Sequence, residues 1–192
     1  MTLPIRLVVG LGNPGAEYED TRHNAGFWFM DSLAERYGGQ FKVESKFSGQ
    51  ACRIRVEGEE CWLLKPGTFM NRSGQSVSGL AKYFKIPLEQ ILVVHDELDL
   101  PVGTVRLKKG GGAGGHNGLR DIMSAMGSDF WRLRVGIGHP GNAREVVDYV
   151  LRRPSREDAD AIHAALAGAE KLFPQILVGE SQKVMNSLHS GC

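Results

Sequence analysis

Two short apolar runs constrain this chain more than anything else in it: residues 5–11 (IRLVVGL) and residues 90–95 (QILVVH). Both are rich in β-branched residues and neither alternates with polar ones, so each fits a strand buried on both faces. Such strands belong to parallel sheets covered by helices. The first run ends at the turn Gly12-Asn13-Pro14-Gly15 and the second at the acidic tetrad Asp96-Glu97-Leu98-Asp99. Residues 131–137 (WRLRVGI) read as another strand and residues 104–108 as a half-exposed one. Residues 50–56 and 60–64 flank Glu57-Gly58-Glu59 and read as a hairpin.

Between these runs the apolar period changes to that of a helix. Phe27, Met30, Leu33, Ala34 and Tyr37 share one face of residues 23–37, and Val77, Leu80, Ala81 and Phe84 one face of residues 73–84. Residues 119–126, 143–151, 156–173 and 180–188 are the remaining helical segments, with Pro154-Ser155 as a break and N-cap. This order predicts an α/β fold: one domain over residues 1–192, with a twisted, mixed but largely parallel sheet flanked by helices. Residues 110–118 form a glycine-rich loop expected to be mobile, and residues 155–192 a C-terminal helical segment.

Composition narrows the class. With 42% apolar and 23% charged residues the chain suits a globular protein, and no apolar run spans a bilayer or forms a secretory signal. A cytoplasmic protein is therefore expected, with no membrane partner. The 23 Lys and Arg against 22 Asp and Glu rule out a globally basic nucleic-acid binder. Cys52, Cys61 and Cys192 lack CxxC spacing and suit buried reduced thiols.

In α/β sheets ligands sit outside the carboxyl ends of the strands. Asn13 and His23 follow the first strand, Asp96 the second, and His116-Asn117 the glycine-rich stretch. Gly10, Gly12 and Gly15 match GxGxxG literally, but Pro14 and a polar stretch separate them from the helix, and Asp31 lies inside that helix rather than at a second strand end. A dinucleotide site is disfavoured. GxxxxGK[ST], GxSxG and HExxH do not occur. His95 and Asp96 are neighbours on one strand and point to opposite faces, which argues against their sharing a metal, so no metal and no cofactor is expected. What remains is a histidine base, a carboxylate to fix its tautomer, and amides, a set suited to attack by water on a reactive ester.

The segments GLGNPGAEYEDTRHNAGFWFMD, KPGTFMNRSG, HDELDLPVGTVRLKKGGGAGGHNGLRDI and WRLRVGIGHPG together resemble the bacterial-type peptidyl-tRNA hydrolases, in order and over most of the chain. The resemblance implies a monomeric, metal-independent enzyme that cleaves the ester joining a peptide, or an N-blocked aminoacyl group, to the 3′ ribose of tRNA. It recycles tRNA lost from ribosomes during translation. On this resemblance His23 is the base, Asp96 its partner, and Asn13 the residue that tells blocked from free aminoacyl-tRNA. Tyr18, Phe69, Asn71 and Asn117 contact the tRNA end and the peptidyl backbone, and Lys108 and Arg134 hold an acceptor phosphate.

Bland readings stand beside these: core packing for Phe69, helix capping for Asn71, packing for His116. Residues 100–134 carry six basic residues (Arg106, Lys108, Lys109, Arg120, Arg132, Arg134) against Asp121 and Asp129, which fits a phosphate-binding patch or a solvated strand face. The glycine-rich loop beside it is read as a lid, with a passive connector as the alternative. An RNA-binding adaptor on the same fold is the rival function.

Overall fold

The structure is a computed structural model that describes residues 3–189. Seven strands form one sheet: β1 (Leu7–Gly10), β2 (Lys42–Glu44), β3 (Gly49–Val56), β4 (Glu59–Pro66), β5 (Ile91–Glu97), β6 (Val105–Lys109) and β7 (Trp131–Gly136), in the order β2-β3-β4-β1-β5-β7-β6. β1 runs parallel to β4 and β5, and β5 parallel to β7, while β2, β3 and β6 add antiparallel edges. The expected α/β architecture with a mixed, largely parallel sheet is what is observed. The helices are α1 (Ala25–Tyr37), α2 (Ser73–Tyr83), α3 (Asn117–Met126), α4 (Val146–Val150), α5 (Arg156–Lys171), α6 (Phe173–Leu177) and α7 (Ser181–His189).

The unbroken apolar runs are explained by burial on both faces. Alternate side chains of a strand point opposite ways. Val8, Leu92 and Val94 pack with Phe29, Met30 and Leu33 of α1 and with Ile162, Leu166 and Phe173 of the C-terminal helices. Leu7, Val9, Ile91 and Val93 pack on the other face with Val77 and Leu80 of α2 and Leu119 and Ile122 of α3. Each such fully buried side chain contributes about 1.5–3 kcal/mol relative to exposure, so these two strands fix the sandwich.

The glycines at the end of β1 serve packing rather than a pyrophosphate. A Cβ at Gly10 would collide with Met30 Cγ and with the carbonyl oxygen of Gly26, and one at Gly26 would strike the backbone of Leu11 and Val94. α1 therefore lies unusually close on β1 and β5, and the segment that precedes it is held at the carboxyl edge of the sheet.

Several boundaries differ from the expectation: β1 covers only Leu7–Gly10, and α1 starts at Ala25 with His23 in the 3-10 turn Arg22–Asn24. β5 runs on through Asp96 and Glu97 because both pair with β7, opposite Val135 and Gly136. The segment 143–151 is a 3-10 turn, Ala143–Glu145, followed by the short α4. The long C-terminal helix breaks after Lys171, where Pro174 lacks the N–H that would continue it and α6 starts instead. Cys52 and Cys61 are buried free thiols, and burial pushes Cys52 up to about 11, so both behave as packing residues. Cys192 lies outside the described residues. Among those described, no helix is long and apolar enough to cross a membrane.

Candidate active site

A cleft of about 250 Å³ opens at the carboxyl ends of β1, β4 and β5, and Asn13, His23, Phe69, Asn71, Asp96, His116 and Asn117 all line it. β1 sits between β4 and β5; α1, which follows β1, covers one face of the sheet and α2, which follows β4, the other, and the cleft lies at the carboxyl edge between them.

Asp96 is the centre of the polar set. Its carboxylate, only 2% exposed, accepts from His23 Nδ1 at 2.9 Å through Oδ2 and from His116 Nε2 at 2.8 Å through Oδ1. Burial alone would raise its pKa, but the two imidazoles and their hydrogen bonds overcome that and hold the carboxyl well below the usual range. Ionised, it can only accept, so His23 carries its proton on Nδ1 and leaves the Nε2 lone pair unshared. Burial would lower the His23 pKa, yet the charge and hydrogen bond of Asp96 outweigh it and the net shift is upward.

His116 has its tautomer fixed by its other nitrogen. Nδ1 accepts from the N–H of Gly118 at 3.1 Å and of Leu119 at 3.3 Å, which makes His116 the N-cap of α3, and Nε2 must then be the donor to Asp96. His116 thus caps α3 and lines the cleft, and the capping role was not read from the sequence. His23, Asp96 and His116 offer possible metal-ligand atoms within 4.8 Å of one another. In the observed bonding the two ring nitrogens nearest Asp96 carry protons. A metal there would need His116 to move its proton to Nδ1 and give up the cap.

Asn13 is held at three points. Its N–H donates to Asn24 Oδ1 at 2.8 Å, its carbonyl accepts from Asn24 Nδ2 at 3.0 Å, and its Oδ1 accepts from the Met70 N–H at 2.8 Å. Because Met70 supplies a donor, the amide orientation is settled: Nδ2 is the free group, and Asn13 faces the cleft as a donor. Asn24 and the Met70 backbone were not singled out from sequence. The clue to Asn24 was an amide beside small residues, Ala25 and Gly26, where the backbone of a neighbouring strand comes close.

Asn71 and Asn117 are exposed on the cleft rim. Asn71 sits inside the 3-10 turn Met70–Arg72 and caps no helix, so the capping alternative falls away. Phe69 is 59% exposed, which removes the core-packing alternative. Tyr18 does not line the cleft but meets Phe69 edge to face, with ring centroids 6.4 Å apart. The opposite wall is apolar and comes from Leu98, Val146, Val147, Val150 and Leu151, none of which sequence reading had placed at the site.

Lys108 and Arg134 line a second cavity, about 240 Å³, that shares Glu97 and Gly114 with the first. Arg134 Nε donates to Glu97 Oε1 at 2.9 Å, and Lys108 is exposed. The basic stretch is not uniform. Arg132 is 2% exposed and donates to the carbonyls of Gly111, Gly112 and Ser128, so it holds the start of the glycine-rich loop from beneath. Arg106 is spent on the Leu188 carbonyl at 2.9 Å.

A parallel α/β core with an imidazole–carboxylate pair and side-chain amides at its carboxyl edge has the make-up of a hydrolase. The family model described as peptidyl-tRNA hydrolase matches residues 7–191. The chain is 54% identical over 191 residues to the peptidyl-tRNA hydrolase of Neisseria meningitidis serogroup B, covering 99% of this chain and all of that one. It is 55% identical over 187 residues to that of Methylobacillus flagellatus, 97% of each. The solved structure of peptidyl-tRNA hydrolase from Acinetobacter baumannii superposes with a TM-score of 0.95 at 47% identity, covering 98% of this chain and 96% of that one. The chain belongs to the peptidyl-tRNA hydrolase family and is a hydrolase.

Proposed function

We propose that the protein hydrolyses the ester between the carboxyl group of a peptide, or of an N-blocked amino acid, and the 3′ ribose of tRNA. The observation that carries this reading is the His23–Asp96 pair, with Nε2 of His23 unshared in a cleft that also presents the amides of Asn13, Asn71 and Asn117. His23 Nε2 takes a proton from water as the oxygen attacks the ester carbonyl, and the Asp96 carboxylate stabilises the imidazolium that forms. The amide of Asn71 donates to the developing oxyanion. Collapse of the tetrahedral species expels the ribose 3′ oxygen, which receives the proton from His23. The peptide acid and free tRNA result.

Asn13 Nδ2 is a donor fixed in place, suited to a carbonyl oxygen, and such a group occurs in a peptide bond or an N-acyl cap and not in a free amine. Discrimination for blocked substrates follows from that one bond. His116 keeps the carboxylate oriented, and Asn117 adds a further amide toward the peptide backbone. Phe69, backed by Tyr18, offers an aromatic face to the terminal nucleotide. Lys108 and Arg134 hold an acceptor-stem phosphate near the glycine-rich loop, which runs over residues 110–116 because α3 already begins at Asn117, and this loop acts as the lid. The enzyme works as a single-domain, metal-independent monomer in the cytoplasm, and the helical segment from residue 155 is part of that domain.

Release of an N-acetylated aminoacyl group from tRNA, compared with the unblocked ester and repeated with chelator, tests the reading. Rapid chelator-insensitive release of the blocked group alone is expected. Binding of tRNA without release points instead to an RNA-binding adaptor, and loss of activity with chelator to a metal-dependent esterase.

A further inference from the structure

Arg22, immediately before His23, is a buried cation that binds two backbone carbonyls and an aromatic ring rather than a carboxylate. It is 8% exposed, with its guanidinium stacked on the Tyr149 ring at 3.8 Å from the centroid. Nη1 donates to the carbonyls of Tyr149 at 2.9 Å and Arg152 at 3.4 Å, and the Arg22 backbone N–H also donates to Arg152 O at 3.1 Å. Tyr149 lies in the last turn of α4 and Arg152 two residues past its end, so the guanidinium binds the carbonyls where that helix stops. The Tyr149 hydroxyl in turn donates to Ile137 O at 2.6 Å, just past β7. A continuous set of contacts therefore runs from the end of β7 through Tyr149 and Arg22 to the turn that carries His23.

α4 needs such a tie. It is a helix of five residues, too short to be stable alone, and its side chains Val146, Val147 and Val150, with Leu151, form the apolar wall of the cleft. We propose that Arg22 is a positioning residue for substrate binding: it fixes the α4 wall at a set distance from the His23 turn, so that wall and base belong to one frame. The planar guanidinium suits this role because it stacks and donates at once, whereas a lysine ammonium does not.

The kinetic part of the inference rests on the function proposed above, so the test includes a measurement independent of activity. Hydrogen exchange of the backbone amides over residues 146–152 is compared in the unsubstituted enzyme, Arg22→Lys, Arg22→Gln and Tyr149→Leu, with steady-state hydrolysis of N-acetylaminoacyl-tRNA alongside. Exchange over this segment is expected to quicken by about tenfold or more in each variant while the β5 and α1 amides keep their protection. KM is expected to rise by about tenfold with kcat and the acid limb of its pH profile held, and the double variant Arg22→Lys with Tyr149→Leu to shift KM no more than the larger single change. Arg22→Lys is the gentler change and carries the test if Arg22→Gln does not fold. Unchanged exchange over residues 146–152 in Arg22→Lys, an unchanged KM, or additive effects would each overturn the proposal. An unsubstituted enzyme inert toward the blocked ester would instead sink the functional reading, with the exchange result still deciding the role of Arg22.

Discussion

His116 Nε2 donates to Asp96 Oδ1 at 2.8 Å, on the oxygen opposite the one that holds His23. With both oxygens bonded the carboxylate cannot turn about its Cβ–Cγ bond without losing a partner. The proton donor of His23 therefore meets an acceptor already oriented.

His116→Ala removes two things at once, the α3 cap and the second bond to Asp96. Loss of the cap is expected to cost about 1 kcal/mol of stability, and the loosened carboxylate to lower kcat by about tenfold. His116→Asn separates them, since asparagine caps well but is too short for Asp96. Denaturant unfolding of His116→Asn should show stability near that of the unsubstituted protein while kcat stays at the His116→Ala level. Recovery of both in His116→Asn would show that only the cap matters.

On the mechanism proposed above, the His23–Asp96 pair is expected to set the pH dependence of activity. A base must be neutral to act, and the His23 pKa lies above its ordinary 6.5 because the Asp96 charge and hydrogen bond outweigh burial. The acid limb of kcat/KM should accordingly fall above pH 6.5. Asp96→Asn leaves burial unopposed, so the limb should move to lower pH while the plateau drops by about 10²-fold or more. An acid limb that does not move in Asp96→Asn would separate it from His23.

His95 gives a stability signature of opposite origin. Burial and the nearby His116 lower its pKa to about 4, outweighing the upward pull of its hydrogen bond to the Asp96 carbonyl and of the Asp96 and Glu97 charges, and its Nε2 has no hydrogen-bond partner. The unfolded chain then binds a proton near pH 6.5 that the folded one refuses until about pH 4. This contribution is complete above pH 6.5 and is lost as pH falls toward 4. The raised His23 works the other way, adding stability below pH 6.5 that disappears as pH rises through its folded pKa. In His95→Gln the decline of Tm between pH 6.5 and 4 should be shallower than in the unsubstituted protein, and an equal decline would assign it to other groups.

Much of this was legible in the sequence, for reasons that differ from element to element. The runs 5–11 and 90–95 announced themselves because strands covered on both faces cannot alternate. β2 did not, since Lys42–Glu44 is short, mostly exposed and defined only by pairing with β3. His23, Asp96, Asn13 and His116 were marked by position at strand and loop ends, and the structure brings them to one cleft. The α4 wall was hidden because a helix of valines carries no sign of which cleft it faces. Arg132 and Arg134 sit two apart on one strand and look equivalent in WRLRVGI. Only the fold lays the glycine-rich loop over Arg132 and leaves Arg134 beside Lys108.

That difference predicts how the basic residues respond to salt. Replacing Lys108 and Arg134 by alanine should reduce the slope of log affinity for tRNA against log salt by about one to two. Arg132→Gln should leave the slope alone and destabilise the loop, because its guanidinium is engaged by carbonyls and is not free for phosphate. Equal slopes for the double alanine variant and the unsubstituted protein would remove Lys108 and Arg134 from the interface.

Asn24 supports Asn13 from behind. Asn24→Ala leaves the Asn13 N–H and carbonyl without partners in a buried place, at a cost of about 1–3 kcal/mol. It should also erode the preference for blocked over unblocked aminoacyl-tRNA, and Asn13→Ala should erode it more strongly. A destabilised Asn24→Ala protein with its preference intact would show that Asn13 is held by Met70 alone.

The proposed activation of water by His23 is decided by single-turnover hydrolysis of N-acetylaminoacyl-tRNA by His23→Ala, with tRNA affinity and Tm measured on the same preparation. The expected rate is lower by about 10²- to 10⁴-fold, with affinity and Tm near those of the unsubstituted enzyme. Hydrolysis by His23→Ala at the unsubstituted rate would contradict it.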